Sequence, residues 1–159
     1  VNSPTLDPEP IKSPKEILLV EDNPGDVYIV RSSLADSELY HNFYHVRDGE
    51  EIMAYLHQTQ GYQNVPLPDL ILLDLNLPKK NGFEVLREIK ADPKLRIIPV
   101  IILTSSSSEQ DIQRSYQLYA NSYIVKPSNY FAFFQAIKKL ELFWLNLVQL
   151  PSQTSLNLS

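Results

Sequence analysis

The chain reads as an α/β domain of the doubly wound class, a five-stranded parallel sheet with five helices. Two observations predict it. Five short apolar runs alternate with five stretches at helical spacing, and every connection is long enough for a strand-helix-strand crossover. The middle run, Leu70-Ile71-Leu72-Leu73, is apolar throughout and bracketed by prolines, which suits a strand buried on both faces.

The first run, Ile17-Leu18-Leu19-Val20, ends directly on Glu21-Asp22. Asn23-Pro24-Gly25-Asp26 then opens a helix: Pro24 suits a first helical position and Asp26 complements the positive helix N-terminus. Val27, Ile29, Val30 and Leu34 carry it to about Ser37. Phe43 to Val46 reads as the second strand, and Asp48 as the N-cap of a helix holding Ile52, Met53, Tyr55 and Leu56. A polar loop over residues 59–67 leads to the central strand, which ends at Asp74. Phe83, Val85, Leu86 and Ile89 mark a third helix that stops near Ala91, before Asp92-Pro93. Pro99 to Leu103 forms the fourth strand and leads into Thr104 and four serines. Ser108 caps a helix whose Ile112, Tyr116 and Tyr119 share a face. Ser122 to Val125 is the fifth strand, ending at Lys126-Pro127, and a last helix runs from beyond Asn129 to about Gln149.

Around this domain, taken as residues 15–150, the first 14 residues form a proline-rich flexible arm and residues 151–159 a polar tail. The absence of cysteine excludes disulfides, thiolate metal sites and a cysteine nucleophile, and favours a reducing compartment such as the cytoplasm. No run of 18 apolar residues is present, and the N-terminus lacks the marks of a signal peptide, so no membrane association is expected. A net charge of -5 without a basic cluster argues against nucleic acid as a partner.

Right-handed crossovers gather the ends of strands one, three, four and five at one edge of the sheet, where ligands bind in open α/β folds. The residues ending those strands are Glu21, Asp22, Asp74, Thr104 and Lys126. Each alone has an ordinary explanation as a turn residue, a helix cap or a solvated charge. Together they do not: two carboxylates ~5 Å apart repel by roughly 3 kcal/mol at an effective dielectric near 20, so the cluster calls for a cation. All-oxygen donors suit Mg²⁺ or Mn²⁺. A divalent cation, an ammonium and a hydroxyl around one aspartate make a place for a phosphoryl group, with Asp74 as its acceptor.

These residues lie in four motifs, ILLVEDNPGD, LILLDLNLP, VIILTS and YIVKP. In that order they resemble the receiver domain of two-component response regulators over about residues 16 to 149, and so imply its flavodoxin-like, CheY-like fold. The resemblance implies that Asp74 takes phosphate from a histidine kinase as a signalling protein, not an enzyme. It implies that Glu21, Asp22, Asp74 and the Asn76 carbonyl hold Mg²⁺, that Thr104 and Lys126 contact the phosphoryl group, and that Tyr123 is the switch aromatic. It also implies a cis Lys126–Pro127 bond. Two departures stand out: Glu-Asp replaces the commoner Asp-Asp pair, and Tyr119 occupies a turn position where many members have glycine. The overall likeness is to cyanobacterial regulators that partner phytochrome kinases. The alternatives are a phosphate-independent adaptor on the same fold, an aspartate-nucleophile phosphatase, which would need an acid at Asn76, and a flavodoxin-like carrier, which would need a hydroxyl- and glycine-rich loop at Glu21-Asp22.

The last helix has more apolar residues than one core face uses. With Ile137 as reference, Phe133, Phe134, Leu140, Trp144 and Val148 form the core stripe, and Phe131, Leu142, Phe143 and Leu145 are left over. Such a surplus predicts an interface. The receiver resemblance places it on the fourth helix, fifth strand and fifth helix, as a homodimer.

Overall fold

The computed structural model describes residues 13–151. The proline-rich arm and the polar tail lie outside the described residues, apart from Ser13, Pro14 and Pro151. In chain order the elements are β1 (Lys15–Val20), α1 (Pro24–Ala35), β2 (His41–Val46), α2 (Gly49–Leu56), β3 (Leu70–Leu73), α3 (Gly82–Ala91), β4 (Val100–Thr104), α4 (Glu109–Gln117), β5 (Ser122–Val125) and α5 (Tyr130–Glu141). All strand pairs are parallel, in the order β2-β1-β3-β4-β5.

The alternation of side chains along each strand divides the core in two. Leu18, Val20, Ile71 and Leu73 face α2 and α3 with Ile52, Leu56, Val85, Leu86 and Ile89. Ile17, Leu19, Leu70, Leu72, Ile101 and Leu103 face α1 and α5 with Val27, Val30, Leu34, Phe133, Ile137 and Leu140. Each face thus buries aliphatic side chains worth about 1.5–3 kcal/mol apiece relative to exposure, which fixes the strand ends as a rigid edge.

Helix starts follow the capping chemistry in the sequence. Asn23, Asp48, Asn81, Ser108 and Asn129 each accept a backbone N–H of the first turn. Gly82, the first residue of α3, is held by space: a Cβ there would lie 2.4 Å from the Asp74 carbonyl oxygen, so α3 begins pressed against the backbone of the central strand's end.

Two expectations are corrected, the extent of the last helix and the isomer of the Lys126–Pro127 bond. The last helix is α-helical only to Glu141; Leu142–Leu147 forms a π-helical turn, closed by the Val148 N–H donating to the Phe143 carbonyl at 2.9 Å. Tyr116 of α4 and Tyr119 just beyond it are exposed, and Ser115 is the buried residue of that helix. A nine-residue helix of this polarity uses a small side chain to approach the sheet and leaves its rings outside. The Lys126–Pro127 bond is trans. A proline amide keeps a trans preference of about 0.5–1 kcal/mol, and with this isomer the Lys126 N–H still bonds the Thr104 carbonyl at 2.7 Å.

Tyr119, by contrast, has a φ of 69°, so the turn before β5 does adopt the left-handed conformation that glycine favours. A tyrosine there costs about 1–2 kcal/mol of backbone strain.

Candidate phosphoacceptor site

The carboxyl ends of β1, β3, β4 and β5 converge as the crossovers require. Asp74 follows β3 and is buried, and its Oδ1 accepts the Asn76 N–H at 3.1 Å, which fixes the carboxylate in the turn. Glu21 follows β1 and is buried, with Oε1 accepting the Asn23 N–H at 3.0 Å. Asp22, the next residue, is exposed. Oxygen atoms of Glu21, Asp22 and Asp74 lie within 4.8 Å of one another. Three hard oxygen donors at that spacing, one of them open to solvent, fit a small divalent cation that keeps several waters.

Lys126 reaches into this cluster from the end of β5. Its ammonium lies 2.6 Å from Glu21 Oε2, 2.8 Å from Asp74 Oδ2 and 2.9 Å from Asp26 Oδ2. Burial opposes the charge on Lys126, but the bonds to Asp74, Glu21 and Asp26 outweigh it and raise its pKa above the ordinary lysine value. For Asp74 burial pushes the pKa up, yet the hydrogen bonds with Lys126 and Glu21 prevail and hold it below the usual carboxylate range. Glu21 goes the other way: burial, aided by the charge of Asp74 and only partly offset by Lys126, raises it to about 7. The two carboxyls are thus pushed in opposite directions, and Asp74 is the one held toward its charged form. An ionised carboxylate on a rigid strand end beside a fixed ammonium is arranged as a nucleophile toward an electrophile that carries negative oxygens.

Thr104 ends β4 with its side chain fully buried, and its Oγ1 has no hydrogen-bond partner among the described residues. A buried hydroxyl without a partner costs about 1–3 kcal/mol, so the fold maintains here a donor suited to an incoming oxygen. Tyr123, half-buried on β5, packs against the α2/α3 side of the core, and its hydroxyl donates to the Ser106 carbonyl at 2.8 Å, which ties β5 to the β4–α4 loop. Ser106 Oγ in turn bonds Asp111 Oδ2 at 2.6 Å, at the start of α4.

The structure thus brings together Glu21, Asp22, Asp74, Thr104 and Lys126, with the Asn76 backbone in contact with Asp74. Sequence reasoning missed two neighbours. Asp26 was read only as a complement to the helix dipole, although it lies one turn into a helix that starts beside the acidic pair. His45, on β2, has its Nε2 2.7 Å from the Glu21 carbonyl oxygen. Its place at the end of the strand paired with β1 was the available signal.

Of the surplus apolar residues, Phe131, Leu142 and Phe143 are 50% exposed or more, and Leu147 joins them at 71%. Leu145 does not: it packs against the core on the α1/α5 side, because the π-helical turn shifts its direction from that of a continuous α-helix.

The chain is similar to proteins of one family along most of its length. Residues 17–138 match the response regulator receiver domain. The response regulator Rcp1 of Synechocystis sp. is 48% identical over 139 residues, covering 87% of this chain and 95% of Rcp1. Among solved structures, the phosphorylated cyanobacterial phytochrome response regulator RcpA superposes with a TM-score of 0.86 at 52% identity, over 88% of this chain and 100% of RcpA. The Mn²⁺-bound form of Rcp1 gives 0.85 at 48% identity, over 87% of this chain and 100% of that one. With the receiver profile spanning most of its length and its acid, hydroxyl and lysine at the strand ends, the chain belongs to the response regulator receiver domain family.

Proposed function

We propose that this receiver accepts a phosphoryl group on Asp74 from a histidine kinase of the phytochrome type and answers by changing its α4-β5-α5 surface. The observation that carries the reading is one juxtaposition. An ionised Asp74 lies 2.8 Å from the Lys126 ammonium, with the unpartnered Thr104 hydroxyl at the end of the strand paired with β3. In the transfer an Asp74 oxygen forms the new bond to phosphorus as the P–N bond of the kinase phosphohistidine breaks. The electron pair stays on the ring nitrogen, and a proton on the imidazole keeps the leaving group neutral. Lys126 offsets charge on the phosphoryl oxygens, and Thr104 donates its hydroxyl to one of them. Glu21, Asp22, Asp74 and the Asn76 carbonyl are the groups that would hold Mg²⁺ or Mn²⁺, which when bound supplies charge neutralisation at the phosphoryl oxygens.

Movement of Thr104 toward such an oxygen pulls on the β4–α4 loop, to which Tyr123 is tied through Ser106, and so reaches the exposed face of α4, β5 and α5. Phe131 at the start of α5 and Leu142 and Phe143 in the turn after it are exposed and support a homodimer interface, since large apolar groups in water favour association. The kinase assignment rests on the likeness to RcpA and Rcp1. No helix among the described residues is long and apolar enough to cross a membrane, in keeping with a cytoplasmic partner.

The test is transfer from a purified phytochrome kinase in Mg²⁺, with Asp74→Asn alongside. Wild type takes the phosphoryl group and the variant folds but takes none. Label on the variant would mean that another residue is the acceptor.

A further inference from the structure

Asp26 belongs neither to the proposed metal ligands nor to the phosphoryl contacts, yet its Oδ2 is 2.9 Å from the Lys126 ammonium. Its own N–H is satisfied by Asn23 Oδ1 at 3.1 Å, so the carboxylate is not needed to cap α1. An ammonium has three protons, and here Glu21, Asp74 and Asp26 take one each. A phosphoryl oxygen that is to be bonded by Lys126 must therefore displace a carboxylate. Glu21 and Asp74 are fixed by strand ends and are almost fully buried, whereas Asp26 sits on the first turn of α1 with its side chain 25% exposed. It is the partner that can be released into water at least cost.

We infer that Asp26 competes with the phosphoryl group for Lys126, restraining the loading of Asp74 while its negative charge strengthens divalent-cation binding at the neighbouring acids. This rests on Asp74 being the acceptor. It makes two opposite demands on one carboxylate: removing Asp26 frees the ammonium and removes a repulsive charge from the path of a phosphodonor, but it also removes attraction for a cation. A residue needed only for folding would lower both properties together.

Acetyl phosphate is the probe. An Asp74 oxygen bonds to phosphorus while the P–O bond to the acyl group breaks, and acetate leaves with the electron pair. At saturating Mg²⁺, Asp26→Asn should load on the order of tenfold faster than wild type, and calorimetry should give an Mg²⁺ Kd several-fold weaker. Asp26→Ala should move both in the same directions, so a folding defect in one variant does not decide the matter. In a Lys126→Ala background the acceleration should vanish, leaving rates within about twofold. Equal or slower loading by both Asp26 variants overturns the inference, as does an acceleration undiminished without Lys126. Wild type that takes no phosphoryl group overturns the acceptor reading and this inference with it; labelled wild type with unresponsive Asp26 variants overturns this inference alone.

Discussion

Lys126 and Lys90 stand at opposite ends of one sheet, the first nearly buried and the second half-buried, and both have three hydrogen-bond acceptors. Lys126 meets three carboxylates. Lys90, in the last turn of α3, donates to the Arg96 carbonyl at 2.9 Å, the Ile98 carbonyl at 3.0 Å and Asn121 Oδ1 at 3.1 Å, all neutral. Burial acts on each in the same direction, against the charge. It prevails at Lys90, whose pKa falls to about 8, and is overcome at Lys126. The difference separates two uses of a buried ammonium. At the carboxyl end it restrains charges that can be exchanged for those of a ligand. At the amino end it joins the loop after α3 to the turn before β5, and Asn121 completes the junction by also accepting the Val100 N–H at 2.9 Å.

If the carboxyl-end cluster is a metal-assisted site, removing divalent cations is the heaviest blow. Chelation with EDTA should cut phosphoryl uptake at least about 100-fold, with recovery on adding Mg²⁺. Uptake that continues in EDTA would dissolve the contrast between the two ends. Next in size is the pair of lysine variants measured side by side. Lys126→Ala should slow loading from acetyl phosphate by about ten- to 100-fold. Lys90→Met should leave loading within about twofold but lower stability in urea by about 1–3 kcal/mol, since three acceptors lose their donor. A reversal of the two phenotypes would break the comparison.

A smaller effect concerns the apolar face beyond the site. Phe143→Glu should shift a dimer toward monomer by more than about tenfold in Kd, read by sedimentation near ~100 μM, with phosphoryl uptake unchanged. The smallest effect sharpens the account of Lys90. Its pKa is lower in the fold than the ordinary 10.5, so between about pH 8 and pH 10.5 the unfolded chain binds more protons and stability should rise with pH. Below pH 8 both states are protonated and the penalty is complete. The full shift corresponds to about 3 kcal/mol, and solvent screening of a half-buried group reduces the expected rise to about 1 kcal/mol. Tyr62, raised to about 12 chiefly by its hydrogen bond to Glu51, pulls the other way near the top of this range. The difference between wild type and Lys90→Met across pH 7 to 10 therefore isolates the lysine.

The strands were legible because Ile17 to Val20, Leu70 to Leu73 and Val100 to Leu103 are runs whose hydrophobicity leaves no competing assignment. The residues ending them were legible for the same reason, since a parallel sheet with right-handed crossovers has few ways to place its edges. Asp26 was not, because its contact with Lys126 spans 100 positions and depends on how α1 is oriented over the sheet, which no local pattern encodes. The end of α5 was misread for a related reason. Leu142–Leu147 carries the composition of a helix, but composition does not distinguish i→i+4 from i→i+5 closure, and only Trp144 and Leu145 of the segment lean on the core. Leu145 faces the core and Leu147 faces water.

That π-helical turn holds one residue more than an α-helical turn would over the same rise, so it behaves as an insertion carried within a helix. Removing one residue from the segment would allow the chain to rewind as an α-helix over the same turn, so Val148 would keep its direction while the residues of the segment itself were redistributed between the inward and outward positions. Lineages descended from a common receiver could thus exchange the outward-facing residues at this end by a single codon gain or loss, leaving the strand-end chemistry untouched.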